Sequence, residues 1–422
     1  MPANAPIQSV IPESGRAPGA AARGGAGGWL CLALVFAYLL LMAGVVVVVR
    51  SPAVVARGNE TTWDRAIFTA INAGTLSGFQ QTMGLREMSA NGSVGPLLML
   101  GLTFSGTLVS LIVGGLAGVR ILQLPHDAGR VVWAAIWWVL LATLAGAAAL
   151  TVSGRSVFEA IFQAASAFAN SGLWLGQTPA ADAASSFLVL LPLAVLGGLG
   201  LPVLIELHDR IFGGPPLSRH SRVVLKWTGL VYLIGLVVLV LAQTPAAMGG
   251  GWTAWKSTIG SCSIAAVNTR TAGMPFQSPA AFTVSAQWLL MVLMVIGAAS
   301  AGTAGGVKFT SIWQLVRGIV EILRGRTAQR AAGIAAVWML AYGFVAFVGL
   351  LILLACEPQI PADRTLFLTI SAMGNVGLWH DPVSITGPGL LVLSALMLAG
   401  RLGPLAVLWW MAKTTSSDVL VG

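Results

Sequence analysis

The stretch Ala66–Phe79, AIFTAINAGTLSGF, returns as Ala160–Leu173, AIFQAASAFANSGL, with seven identities in fourteen ungapped positions. An internal repeat of this kind means that one structural unit is built more than once along the chain. Each copy is apolar but shorter than the roughly 20 residues that a bilayer crossing requires. Each is bracketed by longer apolar runs: Trp29–Val49 and Val94–Val119 around the first, Val131–Val152 and Phe187–Leu207 around the second. The pattern continues with Val223–Gln243, the short stretch Thr253–Met274 and an interrupted crossing. It closes with Gly333–Cys356, the short stretch Asp363–Leu378 and Pro388–Met411. The short stretches close on Gly78, Gly172, Gly273 and Gly377, spaced 94, 101 and 104 residues apart. The sequence therefore predicts an all-α polytopic membrane protein of four pseudo-symmetric repeats, each a crossing, a re-entrant helix with its loop, and a second crossing. The units are residues 29–119, 131–207, 223–323 and 333–413, behind a disordered Pro/Ala/Gly-rich tail over residues 1–28.

Composition agrees: 56% of residues are hydrophobic, 9% are charged and mean hydropathy is +0.85. The three cysteines, Cys31, Cys262 and Cys356, have no paired spacing and read as packing residues. The chain carries no HExxH, GxSxG or GxxxxGK[ST] pattern, so neither an enzyme nor an ATPase is expected from it. The net charge of +9 is a topology signal and not a nucleic-acid footprint. In an eight-crossing chain thirteen basic residues fall on the side of the termini, among them Arg120, Arg130, Arg219, Arg317 and Arg324. Seven fall on the other side: Arg50, Arg57, Arg65, Arg86, Arg155, Lys256 and Arg364. The richer side is cytoplasmic by the positive-inside bias, so both termini are expected there and the short stretches dip in from outside.

The interrupted crossing is GAASAGTAGGVK, Gly297–Lys308, between the apolar Trp288–Ile296 and the helical Phe309–Leu323. Its four glycines each forfeit about 1 kcal/mol of helix stability relative to alanine. Irregular backbone at membrane depth is tolerated where protein buries it or a wet cavity receives it. Lys308, costly in lipid, is expected to face a wet interior. Arg401, inside the last crossing, needs acceptors, and the loop offers carbonyls.

A re-entrant helix entering from outside points its C-terminus at the membrane middle, where roughly half a negative charge favours a cation. Four such ends, each followed by extended backbone, can replace an ion's hydration shell with carbonyl oxygens. Asp64 and Glu159 lie near the N-termini of two short helices, where a carboxylate is stabilising. Arg270 reads as a structural anchor, Glu206 as a partner of a neighbouring basic loop, and Trp133, Trp137, Trp138, Trp409 and Trp410 as interface or packing residues.

On the motifs TLSGF, SAFANSGL, RTAGM and GNVGL, with GGLGLPVLIE (Gly197–Glu206), LSRHSRVVL (Leu217–Leu225), TAGGVK and GRLGPL, the chain resembles the Trk/Ktr/HKT superfamily of potassium-uptake proteins. The resemblance covers about residues 29–413. It implies a potassium selectivity filter at Thr75, Leu76, Ser77 and Gly78; Asn170, Ser171 and Gly172; Thr271, Ala272 and Gly273; and Asn375, Val376 and Gly377. It implies a gating loop over 297–306, with Gly297, Gly302, Thr303, Gly305, Gly306 and Lys308, held by Arg401. It further implies a homodimer in the cell membrane, with a separate cytoplasmic nucleotide-binding ring as regulator and no cofactor in this chain beyond the transported K+. Gly78 argues for potassium, since sodium-favouring members carry serine there. The chain departs from the family at Ala298–Ala301, often Gly-Ser-Pro-Gly, at Thr269, often proline, and at Met274, often phenylalanine. The expected function is potassium uptake driven by the membrane potential. The alternatives are an ion-coupled alternating-access transporter, a sodium-permeable member of the superfamily, and a regulatory subunit without flux.

Overall fold

A computed structural model describes residues 20–51, 54, 61–79, 94–178, 180, 183–248, 250–380, 385 and 387–414. Arg16, Arg57, Arg86 and the tail to residue 19 lie outside these. The first helix, α1 (Ala20–Val49), starts inside the segment expected to be disordered. Ala20, Ala21 and Ala22 are strong helix formers, and extending an existing helix costs far less than nucleating one.

Six helices are long and apolar enough to cross a membrane among the described residues. They are α1, α3 (Val94–Ile121), α4 (Ala128–Val152), α8 (Arg219–Ala247), α12 (Arg330–Cys356) and α14 (Pro388–Thr414). Between them lie four short helices: α2 (Trp63–Gly74), α5 (Val157–Ala169), α9 (Gly251–Val267) and α13 (Ala362–Met373). Sequence sets their starts. Ser156 caps α5 by accepting from Glu159 N at 3.4 Å, with Asp64 and Glu159 in first turns, where carboxylates suit the helix dipole.

The crossing expected over Phe187–Leu207 is not straight. A π-helical turn, Ser186–Leu190, leads into α6 (Leu191–Gly198), and α7 (Leu201–Ile211) leaves it at 112°. The cause is the GGLGLP run. Gly200 takes φ +89°, which only glycine adopts at little cost, and Pro202 suits the first turn of the new helix. The free Leu201 N–H donates to Ala301 O at 3.0 Å. The broken crossing is α10 (Val284–Val295) and α11 (Phe309–Leu323), with the intervening loop pinched by a two-residue parallel pair, Ile296–Gly297 (β1) against Val307–Lys308 (β2).

The short helices form the centre. α2 packs on α1, α3 and α14; α5 on α3, α4 and α6; α9 on α8; and α13 on α10, α12 and α14. Phe68, Phe162 and Phe367, each ten residues before a repeat-closing glycine, are fully buried. Trp133, Trp137 and Trp410 face outward on the crossing helices, and Trp138 and Trp409 pack at the edge of the core.

Candidate functional site

The four segments that follow the short helices meet in a closed ring. A methyl group on Gly78 would stand 2.1 Å from Ser171 O, and one on Gly172 2.8 Å from Gly273 O. One on Gly273 would stand 1.7 Å from Val376 O, and one on Gly377 1.8 Å from Ser77 O. Each repeat's glycine thus abuts the backbone of the next repeat, and the fourth abuts the first. All four take positive φ: 83°, 69°, 57° and 78° in chain order. Two independent constraints therefore demand glycine at each position, its backbone conformation and the lack of room for a Cβ.

Two residues before the glycine, Leu76, Asn170 and Asn375 adopt left-handed φ of 58°, 53° and 50°. In the third repeat α9 instead runs through a π-helical turn, Asn268–Ala272, which includes Thr271. That segment is also shorter. Asn72 clamps the first turn by donating to Phe79 O at 2.7 Å and accepting from Phe79 N at 2.9 Å, seven residues on. Asn268 makes the same pair with Met274, at 2.8 Å in both directions, only six residues on. The corresponding side chains in the second and fourth repeats are Ser166 and Ser371, both buried. Neither asparagine was picked out from sequence, although an asparagine within an apolar short helix was the available signal.

The loop 298–306 lies against this ring. Thr303 N donates to Gly197 O at 3.0 Å, and Ala299 N to Gly198 O at 3.1 Å. Thr303 Oγ1 accepts from Asn170 Nδ2 at 2.8 Å and donates to Phe168 O at 3.1 Å. Gly305 sits where a Cβ would be 2.1 Å from Gly374 O, and Gly302 where one would be 2.8 Å from Gly198 O. Gly306 has φ +71°, and Gly297 pairs with Lys308 across β1 and β2. The bend at Gly200 is what brings α6 and α7 onto the loop.

Arg401 joins the two parts. Its Nε donates to Thr75 O at 2.7 Å, one terminal nitrogen donates to Thr303 O, and the other reaches Leu76 O at 3.5 Å. The guanidinium is buried and tied wholly to carbonyls of the first ring segment and the loop. Tyr38 on α1 donates to Gly74 O, the last residue of α2. Lys308 closes the loop from within. It is buried and gives its ammonium to Ala304 O and Gly305 O of its own loop, and it lines a cavity of about 20 Å³ with Ser300, Ser311 and Arg401. Carbonyls freed by the broken helix supply the partners that water would otherwise supply. Arg270, buried, reaches Gly297 O at 3.4 Å. Glu206 accepts from the backbone N–H of Ser218 at 2.8 Å, so it meets the basic loop through its main chain.

These features define an all-α polytopic membrane protein organised around one central constriction of four glycine-closed backbone turns, with an irregular loop beneath. A family model described as TrkH, a cation transport protein, matches residues 258–422. The Ktr system potassium uptake protein B of Bacillus subtilis (strain 168) is 26% identical over 399 residues, covering 85% of this chain and 88% of that protein. The protein of the same name from Vibrio alginolyticus is 28% identical over 275 residues, covering 61% of this chain and 59% of that one. The crystal structure of the potassium transporter TrkH from Vibrio parahaemolyticus shares the fold, with a TM-score of 0.69 at 19% identity over 92% of this chain and 85% of that one. In sequence and in fold the chain is similar to membrane subunits of the Trk/Ktr superfamily.

Proposed function

We propose that this chain takes up potassium across the cell membrane through a pore whose selective part is the ring of Gly78, Gly172, Gly273 and Gly377. The observation that carries this reading is the interlock itself, four glycines each seated on the next repeat's backbone. Such a ring presents carbonyl oxygens, which suit a cation that must shed water. The segments flanking the glycines, Thr75–Ser77, Asn170–Ser171, Thr271–Ala272 and Asn375–Val376, are the filter. Four short-helix C-termini add partial negative charge at the same place. The names of these relatives, potassium uptake proteins, support the choice of ion.

The membrane potential is a sufficient drive. At 100 mV it supplies about 2.3 kcal/mol per elementary charge, enough for roughly 50-fold accumulation at about 1.4 kcal/mol per tenfold. The loop 297–306 is the gate, held against the ring by Thr303 and Arg401 and closed at its base by Lys308. The chain works as a transport subunit and not an enzyme, with both termini cytoplasmic. A homodimer and a cytoplasmic nucleotide-binding ring are the partners that the superfamily assignment suggests.

Rubidium uptake into potassium-starved cells that lack their own uptake systems tests the reading. Cells making this chain should accumulate rubidium, and excess potassium should suppress it. Protein present in the membrane without rubidium accumulation would refute potassium uptake.

A further inference from the structure

Lys308 and Arg401 line one small cavity together, and no carboxylate lines it with them. The cavity of about 20 Å³ lies between the base of the irregular loop and the helices α3, α11 and α14. The two cations are only 8% and 5% exposed, and neither belongs to an ion pair among the described residues. A buried charge is costly unless an opposite charge meets it. Two charges of one sign beside a single small space add their mutual repulsion, which is strong where water is scarce.

The loop and ring carbonyls engage part of these donors. Lys308 has three N–H groups, of which Ala304 O and Gly305 O take two. Arg401 has five, of which Thr75 O, Thr303 O and Leu76 O take three. Carbonyl oxygens bring partial charges and leave two whole ones unmatched. A second observation comes from two hydroxyls. Ser110 on α3 and Ser311 on α11 line the same cavity, are 2% and 3% exposed, and make no side-chain hydrogen bond among the described residues. Neither hydroxyl oxygen is among the unpartnered polar atoms sealed from all contact, so the surface that each keeps is on this cavity. Ser300, also on the wall, is already paired with Thr310 Oγ1 at 3.1 Å.

We propose that this cavity binds a single chloride ion, held by Lys308, Arg401 and the hydroxyls of Ser110 and Ser311. A space of this size takes about one water-sized particle, which leaves out phosphate and organic anions. The positive wall leaves out a second cation site. A water molecule fits but brings no charge, whereas a halide matches both the charge and a wall whose unspent groups are donors. The ion ties the base of the loop to α3, α11 and α14 at once, through one residue on each.

The test takes the full-length protein in gluconate, an anion too large for the cavity, and adds chloride at constant ionic strength. The thermal unfolding midpoint should rise with chloride and saturate. Crystals grown in bromide should show an anomalous scattering peak between Lys308 and Arg401. Chloride affinity, read from the midpoint against concentration, should fall about tenfold or more in Ser110→Ala and in Ser311→Ala, the loss expected for one hydrogen bond to a charged group. Ser105→Ala should leave it unchanged, because that hydroxyl turns back along α3 to Gly101 O at 2.8 Å. A midpoint indifferent to chloride, or a site holding water alone in bromide crystals, would overturn the proposal. Wild-type chloride affinity in both folded serine variants would overturn it as well. None of these readouts involves transport, so they stand or fall separately from the rubidium experiment.

Discussion

Replacing Thr303 by valine isolates the hold on the loop. Valine keeps the shape of threonine but deletes Oγ1, which accepts from Asn170 Nδ2 at 2.8 Å and donates to Phe168 O at 3.1 Å. The backbone bonds of Thr303 to Gly197 and Arg401 remain. Asn170 Nδ2 also keeps its bond to Ala194 O at 2.9 Å, so the second ring segment is not released. Two neutral hydrogen bonds contribute roughly 1 kcal/mol each, so the docked loop loses about 2 kcal/mol. At about 1.4 kcal/mol per tenfold, the undocked population rises up to about thirtyfold. Flux of rubidium into liposomes containing purified protein should rise correspondingly, with an unchanged size-exclusion profile. Thr303→Ser retains the hydroxyl and should restore wild-type flux. Equal flux in wild type, Thr303→Val and Thr303→Ser would refute the claim that this loop limits passage.

Arg401→Ala should also raise flux, and unlike Thr303→Val it should lower the K+/Na+ flux ratio, because it frees Thr75 O of the first ring segment as well. Gly377→Ala forces a Cβ to within 1.8 Å of Ser77 O and should reduce K+ over Na+ discrimination in vesicles, whereas Gly154→Ala, with open space around it, should not. Asn268→Ala removes both bonds to Met274 and should destabilise the folded chain by about 2 kcal/mol, read as an earlier unfolding midpoint. A cysteine at Gly325 should be labelled only from the cytoplasm, and one at Gly154 only from outside; the reverse pattern would invert the proposed orientation.

The repeat and its glycines were legible because the glycine recurs four times at three spacings of 94, 101 and 104 residues, and because a ring of abutting backbones leaves glycine alone at each closing position. The Gly-rich loop was legible for the same reason in reverse, as a place where helix could not continue. The bend at Gly200 was not legible, because Phe187–Leu207 is apolar enough for a crossing and only the GGLGLP run marks the break. The clamps by Asn72 and Asn268 were missed because they depend on a side chain reaching backbone six or seven residues on, after a turn whose course no local pattern specifies. The carbonyl partners of Lys308 were not legible, because they depend on how its own loop turns back toward it. The missing residue in the third segment was hidden by alignment on glycines, which hides where the preceding helix stops.

The closed succession of contacts, first segment on second and fourth on first, is made by one polypeptide. In a ring of four identical subunits every substitution is imposed four times, and its energetic effect is multiplied accordingly. Here each position is encoded once. The third segment can lose a residue and take a π-helical turn while the first keeps its seven-residue clamp. A change at one corner strains one contact and not four, so the corners are free to specialise. Covalent continuity gives this chain an asymmetry that a symmetric assembly cannot reach by point mutation.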